Sequence, residues 1–349
     1  MPVPGYPLPE NTPNAAAGPR RRRTIAVLGP IPRDHIVTHR GETFDKYGCV
    51  LYTVAALASL LGPDDLVRPI VHVRKQDMEP IKEILSRFDN IDYTGLRDDS
   101  DRGDVIELTF RDQNYRDERQ VGFMHPISPQ DVEFALDSDA FVCVPVTDYE
   151  VAQSTLAYIR ANSAGVILLD AHGPTVSLTA AGHRVPRMWI DRDAWLPNID
   201  ILKMNLEEAG CSWFPPPGAD PDLLGRELSM EELPVFAEHC LRRGVKAVCV
   251  TLDEEGCRVY WLDDADALRS ETVPRIPVSD VVDTTGCGDS FAAGMGFGYL
   301  ESGGDFVAAA RYGNAMGAQR CAGRQIDVYL PLTETRAQID AVYAAAGSE

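Results

Sequence analysis

The residues best able to do chemistry lie within residues 283–294, DTTGCGDSFAAG, where a polar loop becomes a helix of small residues. Gly286 and Gly288 let the backbone turn sharply and direct successive N–H groups outward, which makes a site for a phosphate or a developing oxyanion. Asp289 follows on the first helical turn, where its carboxylate can take a proton from an attacking hydroxyl. The simpler alternative is that Asp289 caps the helix and the glycines close a turn. The length of the pattern favours the chemical interpretation.

This stretch resembles the C-terminal signature of the ribokinase-like, or PfkB, family of carbohydrate and nucleoside kinases. The resemblance implies that the backbone of Gly286, Cys287 and Gly288 forms the anion hole and that Asp289 is the catalytic base. Cys287 stands where family members usually have alanine. Because the hole is built from backbone N–H groups, this change should preserve it.

The resemblance also implies cofactors. ATP is expected as the phosphoryl donor with Mg²⁺, and K⁺ is the monovalent cation that many family members bind beside the anion hole. Asp283 and the carbonyl of Thr285 are the candidates for that cation site. No Gly-x-x-x-x-Gly-Lys-Ser/Thr loop occurs in the chain, so a P-loop mechanism is not expected.

Supporting motifs follow one another in the order that the family shows. Asn205 and Glu208 in residues 205–208, NLEE, resemble the Asn-x-x-Glu motif that positions magnesium-bound water and phosphate. Without the resemblance, they read as a helix cap and its charge. Thr251 and Gly256 match the strand and turn that hold the nucleotide phosphates, with Asp253 where glycine is common.

Asn314, in residues 313–318, matches the late helix that lines the adenine pocket, or else this segment is a small-residue packing face. At the N-terminal end, Asp34 is expected to grip the acceptor's hydroxyls, and its alternative is a turn or cap. Gly48 is a second acceptor-site candidate, since Tyr47-Gly48 stands where Gly-Gly is usual. His172 either binds acceptor or phosphate, or is structural. The resemblance runs from about residue 24 to residue 331.

The elements that must position these residues alternate between apolar strands and amphipathic helices, which predicts a parallel sheet covered by helices on both faces. The predicted strands are 24–29, 67–73, 140–146, 165–170 and 199–204, and the predicted helices are 51–61, 78–88, 149–162 and 231–243. Residues 246–252 and 257–262 read as a hairpin.

Residues 35–47 and 98–123 break this alternation and are typical of an antiparallel sheet with one wet face. The fold expected from the resemblance is a three-layer α/β/α body, residues 24–349, with a mostly parallel central sheet and this small β-sheet as a lid. Residues 1–23 read as a disordered tail.

Composition restricts the partners. The net charge of −20 over 349 residues disfavours broad contact with nucleic acid. No apolar run is long enough to cross a bilayer, and eight cysteines that occur singly, without CxxC pairs, suggest a reducing compartment, so we expect a cytoplasmic protein. A small sugar or polyol is the expected partner, and a homodimer through the lid is plausible. A nucleoside kinase and a non-catalytic sugar or nucleotide sensor are the alternatives.

Cys287 raises a further hypothesis. A thiol at a helix N-terminus has a stabilised thiolate, which would make activity sensitive to oxidants. The alternative is that Cys287 is a passive replacement for alanine.

Overall fold

The structure is a computed structural model that describes residues 21–111, 116–214 and 226–344. The predicted disordered tail therefore lies outside the described residues, apart from its last three positions. The strands are β1 Thr24–Leu28, β2 Arg33–Val37, β3 Thr43–Tyr47, β4 Leu66–His72, β5 Leu96–Arg97, β6 Val105–Phe110, β7 Arg116–Gly122, β8 Ala140–Cys143, β9 Val166–Asp170, β10 Val176–Leu178, β11 Arg184–Pro186, β12 Ile201–Asn205, β13 Ala247–Thr251, β14 Cys257–Leu262 and β15 Leu268–Val273.

Helices follow many of these strands. They are α1 Val50–Leu60, α2 Lys75–Leu85, α3 Pro129–Val132, α4 Gln153–Asn162, α5 Arg192–Trp195, α6 Leu206–Ser212, α7 Leu233–Leu241, α8 Cys287–Glu301, α9 Phe306–Cys321 and α10 Leu332–Tyr343. In the described part of the chain, none of these helices is long and apolar enough to span a bilayer.

The central sheet has the strand order β15-β14-β13-β12-β9-β8-β1-β4-β5 within the described ranges. Neighbours from β13 to β5 are parallel, and β14 and β15 are added antiparallel at one edge. The predicted hairpin is the β13–β14 pair. The predicted fold class is confirmed, and each predicted strand and helix lies within a few residues of an observed one.

Both faces of the sheet are buried, which explains the continuous apolar runs of its strands. In β1, Ile25 and Val27 join the core beneath α1, α8 and α9, whereas Ala26 and Leu28 join the core beneath α4 and α7. Side chains of a strand alternate between faces, so one five-residue strand serves both layers. The carboxyl ends of the parallel strands and the N-termini of the following helices thus meet along one edge of the body.

The second sheet, which we call the lid, has the order β3-β2-β6-β7. Its strands fall within the two segments that break the alternation, except that β2 begins at Arg33. The predicted antiparallel pairing is present for β2–β3 and β6–β7, but it was wrong for the central pair, because β2 and β6 pair in parallel. Elements of the body, among them α1, β4 and α2, lie between β2 and β6 in the sequence. The chain therefore reaches β6 by a crossover connection rather than by a hairpin.

Candidate active site

The loop of residues 283–288, called the anion loop below, leads into the N-terminus of α8. Gly286 is the residue before the helix and has a left-handed backbone with φ 84°. Within the described residues, the amides of Gly286 and Gly288 donate to no acceptor, whereas the Cys287 amide donates to the Thr284 carbonyl over 3.2 Å. Free amides at a helix start attract anions. The loop therefore retains donors for an anion, with that of Cys287 used internally.

Gly286 is glycine for two structural reasons. A positive φ is unfavourable for residues with a Cβ. In addition, a Cβ at this position would lie 2.3 Å from Cδ2 of Tyr52, a buried α1 residue whose ring packs directly on the loop. The Arg320 guanidinium covers the same ring at 4.4 Å from its centroid. The anion loop is thus held in place by an aromatic side chain that is itself tightly packed.

Asp289 lies on the first turn of α8 and is partly buried. Its Oδ1 accepts a hydrogen bond from the Cys49 thiol over 3.4 Å, and its backbone carbonyl accepts one from Thr53 Oγ1 over 3.3 Å. Burial raises the pKa of Asp289, while the nearby Lys203 ammonium acts in the opposite direction. A raised pKa brings a carboxylate closer to the range in which it exchanges protons effectively.

Cys49 was not identified from the sequence. It precedes α1 with φ 50° and ψ −110°, a conformation that suits glycine and is rare for other residues. The Val144 carbonyl lies 3.0 Å from the same sulfur, so the single thiol proton is shared between this carbonyl and Asp289. The available signal was the incomplete Gly-Gly pair at this junction. The sequence analysis placed that pair at Tyr47-Gly48, whereas the glycine-like backbone lies one residue later, at Cys49.

Lys203 and Asp170 form a buried pair that the sequence analysis also missed. They stand opposite each other on the parallel strands β12 and β9, and Lys203 Nζ donates to Asp170 Oδ2 over 2.7 Å. A Cβ added to Gly288 would lie 3.1 Å from Lys203 Nζ, so the ammonium lies directly against the anion loop. Burial raises the pKa of Asp170 to about 6, against the lowering effect of Lys203. A lysine in the middle of an apolar strand, ILKMN, was the signal available.

Asn205 and Glu208 form a reciprocal cap at the start of α6. Asn205 Oδ1 accepts from the Glu208 amide over 2.8 Å, and Glu208 Oε2 accepts from the Asn205 amide over 2.9 Å. The other oxygen of Glu208 pairs with His172 Nδ1 at 3.0 Å. Burial raises the pKa of Glu208, but His172 and Lys203 outweigh it and the net shift is downward. Asn205 and Glu208 thus form the helix cap that the sequence offered as their alternative role. The cap also places Glu208 beside Lys203 and Asp170.

His172 joins the same group from the turn after β9. Its side chain is 42% exposed, so the Glu208 pair faces solvent on one side. Burial lowers the pKa of His172, but Glu208 and Asp170 outweigh it and raise the pKa above its ordinary value. An imidazolium at this edge would add positive charge beside the carboxylates of Glu208 and Asp170.

Asp283 is engaged by two cations. Its Oδ2 accepts from Lys46 Nζ on lid strand β3 over 2.7 Å and from Arg320 Nη2 over 3.2 Å, and its Oδ1 accepts from the Thr285 amide over 2.9 Å. Burial raises the pKa of Asp283, but Lys46 and the Thr285 bonds outweigh it and lower it to about 2. These pairs compete with a monovalent cation for the carboxylate, and they tie the lid to the anion loop.

Asp34 and Gly48, the two predicted acceptor-site residues, lie close together. Asp34 is a buried residue of β2, paired in register with Lys46, and a Cβ on Gly48 would lie 3.5 Å from Asp34 Oδ2. The same added Cβ would lie 3.6 Å from Tyr52, which packs on Gly286. The N-terminal motif with Asp34 and Gly48 and the C-terminal motif with Gly286 therefore lie together, at the N-termini of α1 and α8.

The three residues predicted to contact the nucleotide, Thr251, Gly256 and Asn314, each have a structural role within the protein. Thr251 ends β13, where its hydroxyl donates to the Met204 carbonyl over 3.3 Å. Gly256 has φ 99°, and a Cβ there would lie 2.2 Å from the Val273 carbonyl. Asn314 Nδ2 donates to the carbonyls of Val273 and Pro274 and to the Tyr343 hydroxyl. Only its carbonyl oxygen is left for a nucleotide, so a donor contact from Asn314 to adenine is not supported.

The acidic groups suit a magnesium ion held through water. Burial lowers the pKa of Lys203, but the nearby carboxylates of Asp170, Glu208 and Asp289 outweigh this effect and raise the pKa. Both oxygens of Glu208 are engaged within the protein, which fits contact through water rather than direct ligation. In the part of the chain that the structure describes, no group of three or more His, Cys, Asp or Glu side chains could hold a metal directly. Mg²⁺ commonly uses one or two carboxylates with water and substrate phosphates.

Comparisons with known proteins agree with this architecture. Residues 185–327 match the model of the pfkB family of carbohydrate kinases. An uncharacterized sugar kinase of Archaeoglobus fulgidus is 43% identical over 93 residues, which is 26% of this chain and 34% of that protein. The 2-dehydro-3-deoxygluconokinase of Bacillus subtilis is 33% identical over 134 residues, 38% of this chain and 37% of that protein. The chain thus matches only about a third of the length of these relatives.

Solved structures show the fold over nearly the whole chain. Arabidopsis thaliana ribokinase complexed with ribose and ATP has a TM-score of 0.68 at 16% identity, covering 92% of this chain and 99% of that one. A sulfate complex of a pyrophosphate-dependent kinase in the ribokinase family has a TM-score of 0.68 at 18% identity, covering 91% and 100%. A Burkholderia thailandensis nucleoside kinase with inosine has a TM-score of 0.63 at 19% identity, covering 92% and 98%.

Proposed function

We propose that this chain is a kinase of the pfkB family and that it transfers a phosphoryl group to a hydroxyl of a small sugar-like acceptor. One observation carries the proposal. The Asp289 carboxylate, the free amides of Gly286 and Gly288, and Asp34 on the lid converge at the N-termini of two packed helices. A proton acceptor next to unspent anion donors supplies the positioning and charge stabilisation on which phosphoryl transfer depends.

Asp289 acts as general base in this proposal. Its carboxylate takes the proton of the acceptor hydroxyl as the oxygen attacks the transferred phosphoryl group. Because the pKa of Asp289 is raised by burial, the carboxylate holds that proton more strongly than a solvated aspartate would. The contact from Cys49 keeps the carboxylate oriented without donating a full charge.

The anion loop stabilises the charge that develops on the phosphoryl oxygens. The amides of Gly286 and Gly288 are fixed donors, and Lys203 lies against the loop as a buried positive charge. Bound Mg²⁺ would neutralise donor phosphates, with Glu208 meeting it through water. Lys46 links the lid to Asp283, so lid position and loop position are coupled. A closed lid excludes the water that would otherwise accept the phosphoryl group.

ATP is the proposed donor, as the family resemblance implies. The donors of Asn314 are spent internally, and one structural neighbour is a pyrophosphate-dependent kinase. The experiment therefore includes pyrophosphate as a second donor. A lid-mediated homodimer and cytoplasmic location remain predictions from the sequence.

The test is a screen for donor consumption with Mg²⁺ over sugars, polyols and nucleosides, run on the wild type and on Asp289→Asn. Loss of a positioned general base lowers turnover about 10²- to 10⁴-fold. Asp289→Asn should keep nucleotide binding, measured by calorimetry, while transfer falls by this factor. Asp340→Asn is the matched control, because Asp340 is an exposed residue of α10.

The outcomes separate the alternatives. Phosphorylation restricted to nucleosides would favour the nucleoside kinase. A wild type that binds sugar or nucleotide without transfer to any acceptor would favour the sensor. Full turnover by Asp289→Asn would remove the proposed base.

A further inference from the structure

Two cysteines meet at the anion loop from different helices. Cys287 is the first residue of α8, Cys321 is the last residue of α9, and their Sγ atoms are 3.1 Å apart. Both side chains are partly exposed, whereas the other six cysteines are buried. We propose that Cys287 and Cys321 are a thiol modification site that a low-molecular-weight disulfide oxidises reversibly to an internal disulfide, and that this bond slows phosphoryl transfer. The second half of this inference rests on the proposed function.

Helix packing, and not a chance loop conformation, places the two thiols together. An added Cβ at Gly317, one turn before Cys321, would lie only 3.5 Å from the Cys287 carbonyl. Further along, an added Cβ at Gly313 would lie 2.8 Å from the Phe291 ring. Glycines on α9 thus let the two helices approach closely. A disulfide has an S–S distance of about 2.05 Å, so closure requires the sulfurs to approach by roughly 1 Å.

The chemistry is thiol–disulfide exchange with a reagent such as oxidised glutathione. A thiolate of the pair attacks one sulfur of the reagent, whose S–S bond breaks and releases one glutathione thiolate. The partner thiol then loses its proton and attacks the protein sulfur of the mixed disulfide, which releases the second glutathione. The two protein thiols are oxidised by two electrons in total, and the reagent is reduced to two glutathione molecules. Thiol reductant reverses both steps.

The anion loop is attached to both cysteines, which links this bond to the site. Cys287 follows Gly286 directly, and the Cys321 carbonyl accepts from the amides of Val282 and Asp283 over 2.8 and 3.4 Å. A change in the distance between the start of α8 and the end of α9 therefore moves the anion loop at both of its ends. A displacement of about 1 Å in a catalytic group can lower the rate about 10²-fold.

The experiment uses the full chain, first reduced and then incubated with oxidised glutathione. Free thiols are blocked with N-ethylmaleimide, and a non-reducing protease digest is mapped by mass spectrometry. We expect a linked peptide pair containing Cys287 and Cys321, and a fall in turnover of about 10²-fold that dithiothreitol restores. Cys321→Ala should keep its turnover in oxidised glutathione. Cys240→Ala, which removes a buried cysteine of α7, should respond like the wild type.

The peptide map tests the modification site, and the turnover measurements test the control of activity. Absence of the linked peptide after exposure to the reagent would overturn the modification site. A linked peptide with unchanged turnover would overturn the control of activity, as would an oxidant response that persists in Cys321→Ala. Absence of turnover in the reduced protein would refute the proposed function and the control of activity with it, while the linked peptide would still establish the modification site.

Discussion

Replacing Gly286 with alanine should both slow phosphoryl transfer and destabilise the fold. The backbone there has φ 84°, and left-handed backbone costs an L-residue roughly 1–2 kcal/mol. The new Cβ would also lie 2.3 Å from Tyr52 Cδ2, well inside the ordinary carbon contact of about 3.5–4.0 Å. Tyr52 is only 1% exposed and is covered by Arg320, so its ring cannot turn away. The loop must therefore move by roughly 1 Å, which predicts a fall in kcat of about 10²-fold.

Gly303→Ala is the matched control for the backbone effect. Gly303 lies between α8 and α9 with φ 70°, and an added Cβ would meet nothing within 4 Å. Both variants should therefore lose roughly 1–2 kcal/mol of unfolding free energy from the backbone alone. Gly286→Ala should lose about 1–3 kcal/mol more from overpacking. Gly303→Ala should keep the wild-type kcat.

The assay combines urea unfolding of the three proteins with kcat on the acceptor found by the screen. Tyr52→Ala in the Gly286→Ala background removes the Cγ and ring atoms that the new Cβ would meet, so the double variant should be more active than Gly286→Ala alone. A double-mutant cycle measures this coupling. A Gly286→Ala protein with wild-type kcat, or equal losses in both glycine variants, would refute the link between loop position and catalysis.

Three further predictions concern the charges around the loop. Cys49→Ala should move the acidic limb of the pH–kcat profile upward with the plateau retained, because the thiol contact lowers the pKa of Asp289; an unmoved limb would contradict this. Lys46→Met removes the ammonium that pairs with the Asp283 carboxylate, so K⁺ should raise kcat more in this variant than in the wild type. The reference is kcat with a bulky organic cation at equal ionic strength. An equal effect of K⁺ in both proteins would contradict this prediction. Asp289→Asn should raise the unfolding free energy near neutral pH, because the folded pKa of Asp289 lies above its unfolded value and ionisation disfavours folding. This gain in unfolding free energy should fade as the pH falls, because the Asp289 carboxyl is then protonated in the folded and the unfolded state. Denaturant unfolding of both proteins across pH measures it. A gain that grows towards acid pH would contradict a raised pKa for Asp289.

Local pattern was enough for the main elements and for the centre of the candidate site. Apolar runs set the strands because both faces of the sheet are buried, and the small-residue helix after DTTGCGD begins at Cys287 as its glycines indicate. The pairing inside the lid was not predictable, because β2 and β6 are far apart in the chain and their direction depends on how the body places them. The internal bonds of Asn314 were equally hidden, since its acceptors come from a loop and from α10.

The sequence by itself determined the fold class, the helix start that presents the anion loop, and the carboxylate beside it, because each depends on residues close together in the chain. Only the tertiary structure decided which distant groups surround them. Lys203 meets Asp170 through strand register, Cys49 meets Asp289 through the packing of α1 on α8, and Cys321 meets Cys287 through the packing of α9 on α8. The physical reason is that charge pairing and thiol contact act over a few ångströms in space, and sequence spacing does not report distance between segments that pack from opposite ends of the chain.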